Sequence, residues 1–300
     1  MIKKVGVVGC GIMGAGIAQV VLEAGYGVIV REINQSLLDK GLMIIKKGLE
    51  RSIEKGILPN TKKEEALNRL SDTLLLEDFK DCDLIIEAVF EEIQIKKEVL
   101  KNLDHVCLKE TVFASNTSSL SITEMSTSTS RPERVIGLHF FNPVQVMPLV
   151  EVVKTISTSP EILNIALEFT RSLRKVPIIS KDNPGFIVNL LLTPYLMGAI
   201  HAVAKDVASI QDIDTGMKLG CGHPMGPLML ADVIGLDILC KGANSMVHEY
   251  KDNRYAPPPL LVQMVRMGYI GRKAGRGFYD WSDQKNPVPR DISLKGEGLG

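Results

Sequence analysis

The residues best suited to chemistry begin with Gly9-Cys10-Gly11-Ile12-Met13-Gly14, followed 18 residues past the last glycine by the acid Glu32. Glycines at those three places allow a tight turn, close backbone approach to a pyrophosphate, and close packing of a helix on a strand. The helix N-terminus then offers free N–H groups to the phosphates. Gly9, Gly11, Ile12, Met13 and Gly14 are therefore the expected dinucleotide cradle. Glu32 is the expected acceptor for the adenosine ribose diol, where it would repel a 2′-phosphate. A glycine loop alone often has only a structural role; here an apolar run precedes it, a helical pattern follows it, and the acid stands where it is needed. NAD is favoured over NADP, although neighbouring Arg31 blurs the charge argument, and the loop alone remains compatible with FAD.

Further along stand Ser115-Asn116-Thr117-Ser118-Ser119, then His139-Phe140-Phe141-Asn142-Pro143, Glu151, and Pro184-Gly185-Phe186-Ile187-Val188-Asn189. Taken singly, each has an ordinary explanation. A histidine at a strand end is usually structural, a hydroxyl-rich turn is common, and an asparagine at a domain junction can simply satisfy backbone. His105, His201, His223 and His248 show no metal spacing, so no metal is expected.

These groups need a scaffold. The first half of the chain alternates apolar runs with helical patterns. Strands are expected at Lys4–Val8, Gly27–Arg31, Leu84–Ala88, Val112–Ser115, Val135–His139, Leu149–Val153 and Val176–Ile179, with helices at Met13–Ala24, Gln35–Gly56 and Ile93–Val106. Alternation of this kind predicts an α/β fold, a Rossmann-type doubly wound parallel sheet covered on both faces. From about Pro184 the chain reads as mainly helical, broken at Gly220–Pro227 and Pro257–Pro259, with one short strand at Gly277–Trp281. Two domains result, residues 1–183 and 184–300. A length of 300 residues is itself more than one core usually serves.

Composition narrows the partners. Hydrophobic residues make up 45% and charged residues 23%, and 35 Lys plus Arg balance 35 Asp plus Glu. With no basic block or acidic tail, nucleic acid is not the expected partner. Five scattered cysteines without a Cys-x-x-Cys pair fit reduced thiols in the cytoplasm. Asp182 and Lys205 bracket a stretch free of Asp, Glu, Lys and Arg, but asparagines, prolines and His201 interrupt it. It reads as a helix buried at a domain or subunit interface, not as a membrane span.

In their order, from the glycine loop through HFFNP, Glu151 and GFIVN to His223-Pro224-Met225-Gly226-Pro227 and Gly275-Arg276-Gly277-Phe278-Tyr279, these motifs resemble the L-3-hydroxyacyl-CoA dehydrogenase family. Its stand-alone bacterial 3-hydroxybutyryl-CoA members are the nearest in pattern, and the resemblance runs over essentially the whole chain. It implies that His139 is the acid/base and that Glu151 orients it. It implies that Ser118 contacts substrate and nicotinamide, that Asn189 joins the catalytic set, and that Glu91, Lys96 and Asn142 lie beside the cofactor. It also implies that the helix carrying Lys46, Lys47, Arg51 and Lys55 clamps coenzyme A, although a solvated helix face explains those residues equally well.

The chemistry asks for the same residue types. Oxidising an alcohol needs a base near neutrality, and a carboxylate behind an imidazole fixes its tautomer and stabilises the imidazolium. A return across the turn from Pro143 to Pro148 would bring His139 and Glu151 together, while Ser118 and Asn189 would donate to the substrate oxygen. The implied partners are an acyl-coenzyme A substrate and a second copy of the chain, docked through the uncharged helix. The sequence departs from the family at Leu190, where arginine is common, and at Lys205-Asp206-Val207-Ala208-Ser209. A related free sugar-acid dehydrogenase and a non-catalytic NAD-binding protein remain as alternatives.

Overall fold

The computed structural model describes residues 2–292. They form two compact units, the first ending at Phe186 and the second beginning at Ile187.

In the first unit the strands are β1 (Lys4–Val8), β2 (Gly27–Arg31), β3 (Leu70–Thr73), β4 (Leu84–Glu87), β5 (Val112–Ser115), β6 (Val135–Phe140), β7 (Leu149–Lys154) and β8 (Val176–Lys181). They build one sheet in the order β3-β2-β1-β4-β5-β6-β7-β8. Strands such as Val5–Val8 and Leu84–Glu87 are buried throughout, as strands covered on both faces must be. The helices are α1 (Ile12–Glu23), α2 (Gln35–Glu54), α3 (Lys62–Asn68), α4 (Ile93–Val106), α5 (Ile122–Ser126) and α6 (Pro160–Ser172). One core packs α1, α2 and α6 against β1, β2, β6 and β7; a second, built around Phe79, Leu100, Leu103 and Phe113, includes residues of α4 and α5.

The sheet is not wholly parallel. β6 and β7 pair antiparallel, with His139 opposite Glu151. The physical reason is length: only residues 141–148 join the two strands, and a parallel connection needs a crossover of a dozen or more residues. The edge strand β3 lies outside the seven strands read from the sequence. It is short, and its Ser71 and Asp72 are exposed, so it lacks the apolar run that marks its neighbours.

The second unit is helical: α7 (Val188–Ala204), α8 (Ile210–Cys221), α9 (Pro227–Ile234), α10 (Leu236–Tyr250) and α11 (Pro259–Arg266), with a short hairpin of β9 (Tyr279–Asp280) and β10 (Val288–Pro289). The break after α8 falls at Gly222, which closes the helix with φ +69° in the left-handed region that favours glycine. Thr193, Leu196, Met197 and Ile200 of α7 are buried at helical spacing within this unit, while Leu191 is 68% exposed. The uncharged helix is thus only partly buried in the single chain. No helix among the described residues is long and apolar enough to cross a membrane.

Candidate active site

β1 delivers the chain into the glycine loop. Gly9 adopts φ +95°, and a Cβ there would lie 2.5 Å from the Ala88 carbonyl oxygen. A Cβ on Gly14 would lie 1.7 Å from the Gly9 carbonyl oxygen, so both positions exclude any side chain. Gly11 is different, because a Cβ there would meet nothing within 4 Å. That side of the loop is open, Ile12 is 70% exposed, and Gly11 begins α1 with no side chain capping the helix. Glu32, just past β2, accepts from the Cys10 N–H at 2.7 Å and from the Ile33 N–H at 3.1 Å. Its carboxylate is thereby held at the loop rim, half-exposed. An open, uncapped helix start with an acid at the neighbouring strand end fits a dinucleotide with a free ribose diol. Arg31 turns elsewhere, its Nε donating to the Leu74 carbonyl at 3.2 Å. Cys10 inside the loop is not poised to react: burial above all, then Glu32 and Asp72, pushes its thiol up to about 12.

Three strands over, the antiparallel register sets His139 and Glu151 side by side. Directly opposed residues put their side chains on one face of the sheet. His139 Nδ1 lies 2.6 Å from Glu151 Oε2, with the carboxylate fully buried and the imidazole nearly so. A carboxylate accepts, so Nδ1 carries the proton and Nε2 keeps the lone pair. Phe141 and Phe186 flank the ring, with centroids 4.5 Å and 5.6 Å away. This arrangement can take a proton at Nε2 and stabilise the cation that results.

The turn after β6 is held from behind. Lys175, a buried lysine, donates from Nζ to the Val144 carbonyl at 2.6 Å and to the Met147 carbonyl at 2.9 Å. Burial pushes its pKa down, while Glu23 works in the opposite sense. Gln145 Nε2 reaches Gln19 Oε1 of α1 at 2.7 Å, tying the turn to the helix that follows the glycine loop. Asn142 sits exposed at the start of this turn.

Ser118 lies half-buried in the loop after β5, its N–H 3.2 Å from Glu91 Oε1. Asn116 Oδ1 in the same loop accepts from the Phe140 N–H at 2.9 Å, so the loop is fastened to the strand that carries His139. Glu91 and Lys96 do come together, at 3.2 Å, but Lys96 is only 1% exposed and also pairs with Glu87 at 2.7 Å. The sequence pattern did not single out Glu87, Asn116 or Lys175. Glu87 looks like the polar end of an apolar strand, and the other two acquire their partners only through folding. Asn189 stands half-buried near the start of α7, in the second unit. Lys46, Lys47, Arg51 and Lys55 line an exposed face of α2 and its C-terminal cap, where Glu50 pairs with Lys63 at 3.0 Å. Among the described residues no group of three or more His, Cys, Asp or Glu could hold a metal ion.

Comparison with known proteins bears on the whole chain. Residues 4–183 match the family described as 3-hydroxyacyl-CoA dehydrogenase, NAD binding domain, and residues 185–281 match its C-terminal domain. The chain is 45% identical to a 3-hydroxybutyryl-CoA dehydrogenase of Clostridioides difficile over 279 residues, covering 93% of this chain and 99% of that one. It is 41% identical to the mitochondrial hydroxyacyl-coenzyme A dehydrogenase of Homo sapiens over 290 residues, 94% and 92% of the two chains. The crystal structure of (S)-3-hydroxybutyryl-CoA dehydrogenase from Ralstonia eutropha superposes with a TM-score of 0.89 at 42% identity, covering 92% of this chain and 98% of that one. Sequence and fold therefore match together over nearly the whole chain, and the chain belongs to the 3-hydroxyacyl-CoA dehydrogenase family.

Proposed function

We propose that this protein interconverts a short-chain (S)-3-hydroxyacyl-CoA, 3-hydroxybutyryl-CoA foremost, and the corresponding 3-oxoacyl-CoA with NAD(H), using His139 and Glu151 as its acid/base pair. The observation that carries the reading is the buried 2.6 Å contact between His139 Nδ1 and Glu151 Oε2, which leaves Nε2 as a base in a chain of this family.

In the oxidative direction, Nε2 takes the hydroxyl proton as the C–H bond breaks and the carbonyl forms. Glu151 balances the imidazolium that results, and in reduction the same proton returns to the alkoxide oxygen. Hydride acceptance is supplied by the nicotinamide when NAD is bound. Gly9, Gly11, Ile12, Met13 and Gly14 hold the pyrophosphate, Glu32 holds the adenosine ribose, and Glu91 and Asn142 border the nicotinamide half. Ser118 and Asn189 donate to the substrate oxygen. The exposed basic face of α2, ending at Lys55, receives the phosphates of coenzyme A, which favours a thioester over a free sugar acid. Two copies associate through the uncharged face of α7 on which Leu191 is exposed.

Acetoacetyl-CoA should drive NADH oxidation, and free acetoacetate should not. His139→Gln should lower kcat by about 10²–10⁴ while NADH still binds. Glu151→Gln should also lower kcat, and the double variant should be little worse than His139→Gln alone, because the two side chains act as a unit. Near-normal turnover in His139→Gln would overturn the mechanism.

A further inference from the structure

Beneath the loops at the carboxyl edge of the sheet lies an ionic cluster that the acid/base step does not use. Glu87, the last residue of β4, is fully buried. Its Oε1 accepts from Lys96 Nζ at 2.7 Å and from the Val89 N–H at 2.7 Å, and its Oε2 accepts from Ser115 Oγ at 2.6 Å. Lys96, from α4, has three ammonium protons and three acceptors: Glu87 Oε1, the Val89 carbonyl at 3.3 Å and Glu91 Oε2 at 3.2 Å. Glu91 Oε1 in turn accepts from the Ser118 N–H at 3.2 Å, from Ser119 Oγ at 3.4 Å and from the Thr117 hydroxyl. Each ammonium proton of Lys96 thus has an acceptor within the cluster, and the buried Glu87 carboxylate faces only donors. The cluster holds two negative charges against one positive.

Glu87 and Lys96 are buried and balance one another, while Glu91 is 31% exposed, so the surplus negative charge stands at the rim of the cluster, where an opposite charge can still compensate it. Its location indicates what does. Val8, Glu87 and Ser115 are neighbours in register across β1, β4 and β5, at the carboxyl ends where a dinucleotide crosses the sheet. Glu32 marks the adenosine half on the β2 side. The nicotinamide half then falls on the side of β4, β5 and β6, which carries His139. An oxidised nicotinamide is a cation and a reduced one is neutral, so a surplus negative charge on that side distinguishes the two forms.

We infer that the Glu87–Lys96–Glu91 cluster biases cofactor binding toward the oxidised form, with Glu87 as a positioning residue that acts through its charge and through Lys96. This rests on the NAD-dependent reading above. Lys96 orders Glu87 and Glu91 within the cluster. At protein-like screening, removal of one unit charge several ångströms away shifts a preference of this kind by about ten-fold.

The test is calorimetric titration of the full-length protein with NAD+ and, separately, with NADH. Glu87→Gln keeps the size of the side chain and an oxygen acceptor for Lys96 and Val89. Its Kd for NAD+ divided by its Kd for NADH should rise about ten-fold over wild type, through weaker NAD+ binding and unchanged or tighter NADH binding. Glu91→Gln, at a more exposed position that tolerates change if Glu87→Gln does not fold, should move the ratio the same way. Glu87→Asp keeps the charge and should leave the ratio near wild type. A ratio unmoved in both glutamine variants, or equal weakening of the two nucleotides, would assign the cluster a purely structural role and overturn the inference. A wild type that binds both nucleotides while the ratio stays fixed sinks this inference alone; a wild type that binds neither sinks the NAD-dependent reading with it.

Discussion

Each unit of the chain gathers two carboxylates, the buried Glu87 with the partly exposed Glu91 in the first and the buried Asp214 and Asp232 in the second, and the two pairs are satisfied by different kinds of donor. In the first unit Glu87 and Glu91 face an ammonium, serine and threonine hydroxyls and the N–H groups of Val89 and Ser118. In the second unit Asp232 accepts from the N–H groups of Phe278 and Tyr279 at 2.9 Å and 2.8 Å, and from Trp281 Nε1 at 2.9 Å. Asp214 accepts from the N–H groups of Leu228 and Met229 and from the Tyr279 hydroxyl. The glycines of the closing motif permit that contact, since a Cβ on Gly277 would lie 2.0 Å from Asp232 Oδ1. Backbone donors fix where a chain runs. A cation and loop hydroxyls instead tie a carboxylate to side chains of separate loops and elements. The two pairs thus differ in exposure as well as in their donors.

The largest effect that could break this comparison is on stability. Asp232→Asn would leave an amide N–H₂ against N–H donors, at a cost of about 3 kcal/mol, or a fall in Tm of roughly 6–12 °C. The NAD+/NADH affinity ratio should not move. Glu87→Gln should show the reverse balance, a clear change in ratio with a smaller change in Tm. Thermal melts and nucleotide titrations on both variants check this, and matching responses would erase the distinction.

Much of the first unit was legible because its signals are local. The glycine loop needs only turn chemistry and the strand before it, and Glu32 follows from its distance along the chain. His139 and Glu151 stood out through the family resemblance, and the Pro-bounded return made their meeting geometrically possible; the fold brings them to 2.6 Å. What escaped depends on neighbours far apart in the chain. Glu87 closes Leu84-Ile85-Ile86 like any strand-end acid, and gains meaning only when Lys96 on α4 and Ser115 on β5 fold against it. The sheet departs from parallel at β6–β7, where the short return from Pro143 to Pro148 read from the sequence leaves no room for a crossover helix. The polar edge strand β3 escaped because its pairing with β2, not its own residues, makes it a strand.

A third carboxylate sharpens the contrast at intermediate scale. Glu32 is half-exposed at the loop rim, held by two backbone N–H groups but open to a ligand. Glu32→Ser should weaken NAD binding by about ten-fold, comparable to losing one charge-assisted hydrogen bond pair, and should narrow the gap to NADP. Titration with the two cofactors measures it. A wild type that already prefers NADPH would show that this acid does not select the ribose.

The smallest effect is acidic and tests the sign of burial. Asp232 and Asp104 are both shielded from solvent, yet their carboxyls shift in opposite directions. Burial pushes Asp232 up, against the pull of Trp281, Tyr279 and Phe278, so its contribution to stability is greatest below the unfolded carboxyl value and is lost as pH rises through the raised one. At Asp104 burial also pushes upward, but the N–H and hydroxyl of Ser130 and the Arg131 guanidinium together hold the carboxyl below its ordinary value. Arg131 Nε lies 2.6 Å from Asp104 Oδ1, and its Nη2 donates to the Asp104 and Cys107 carbonyls at the end of α4. The pair therefore stabilises the fold above the unfolded carboxyl value, about 3.9, and that stability is lost as pH falls through the lowered value. Asp104→Asn keeps most hydrogen bonds and loses the charge, so it should cost about 1 kcal/mol at neutral pH. The gap between the melting curves of wild type and variant should close as the pH falls through the lowered carboxyl value. A gap that persists undiminished in acid would mean that Asp104 contributes through packing, and that its guanidinium partner adds nothing that titrates.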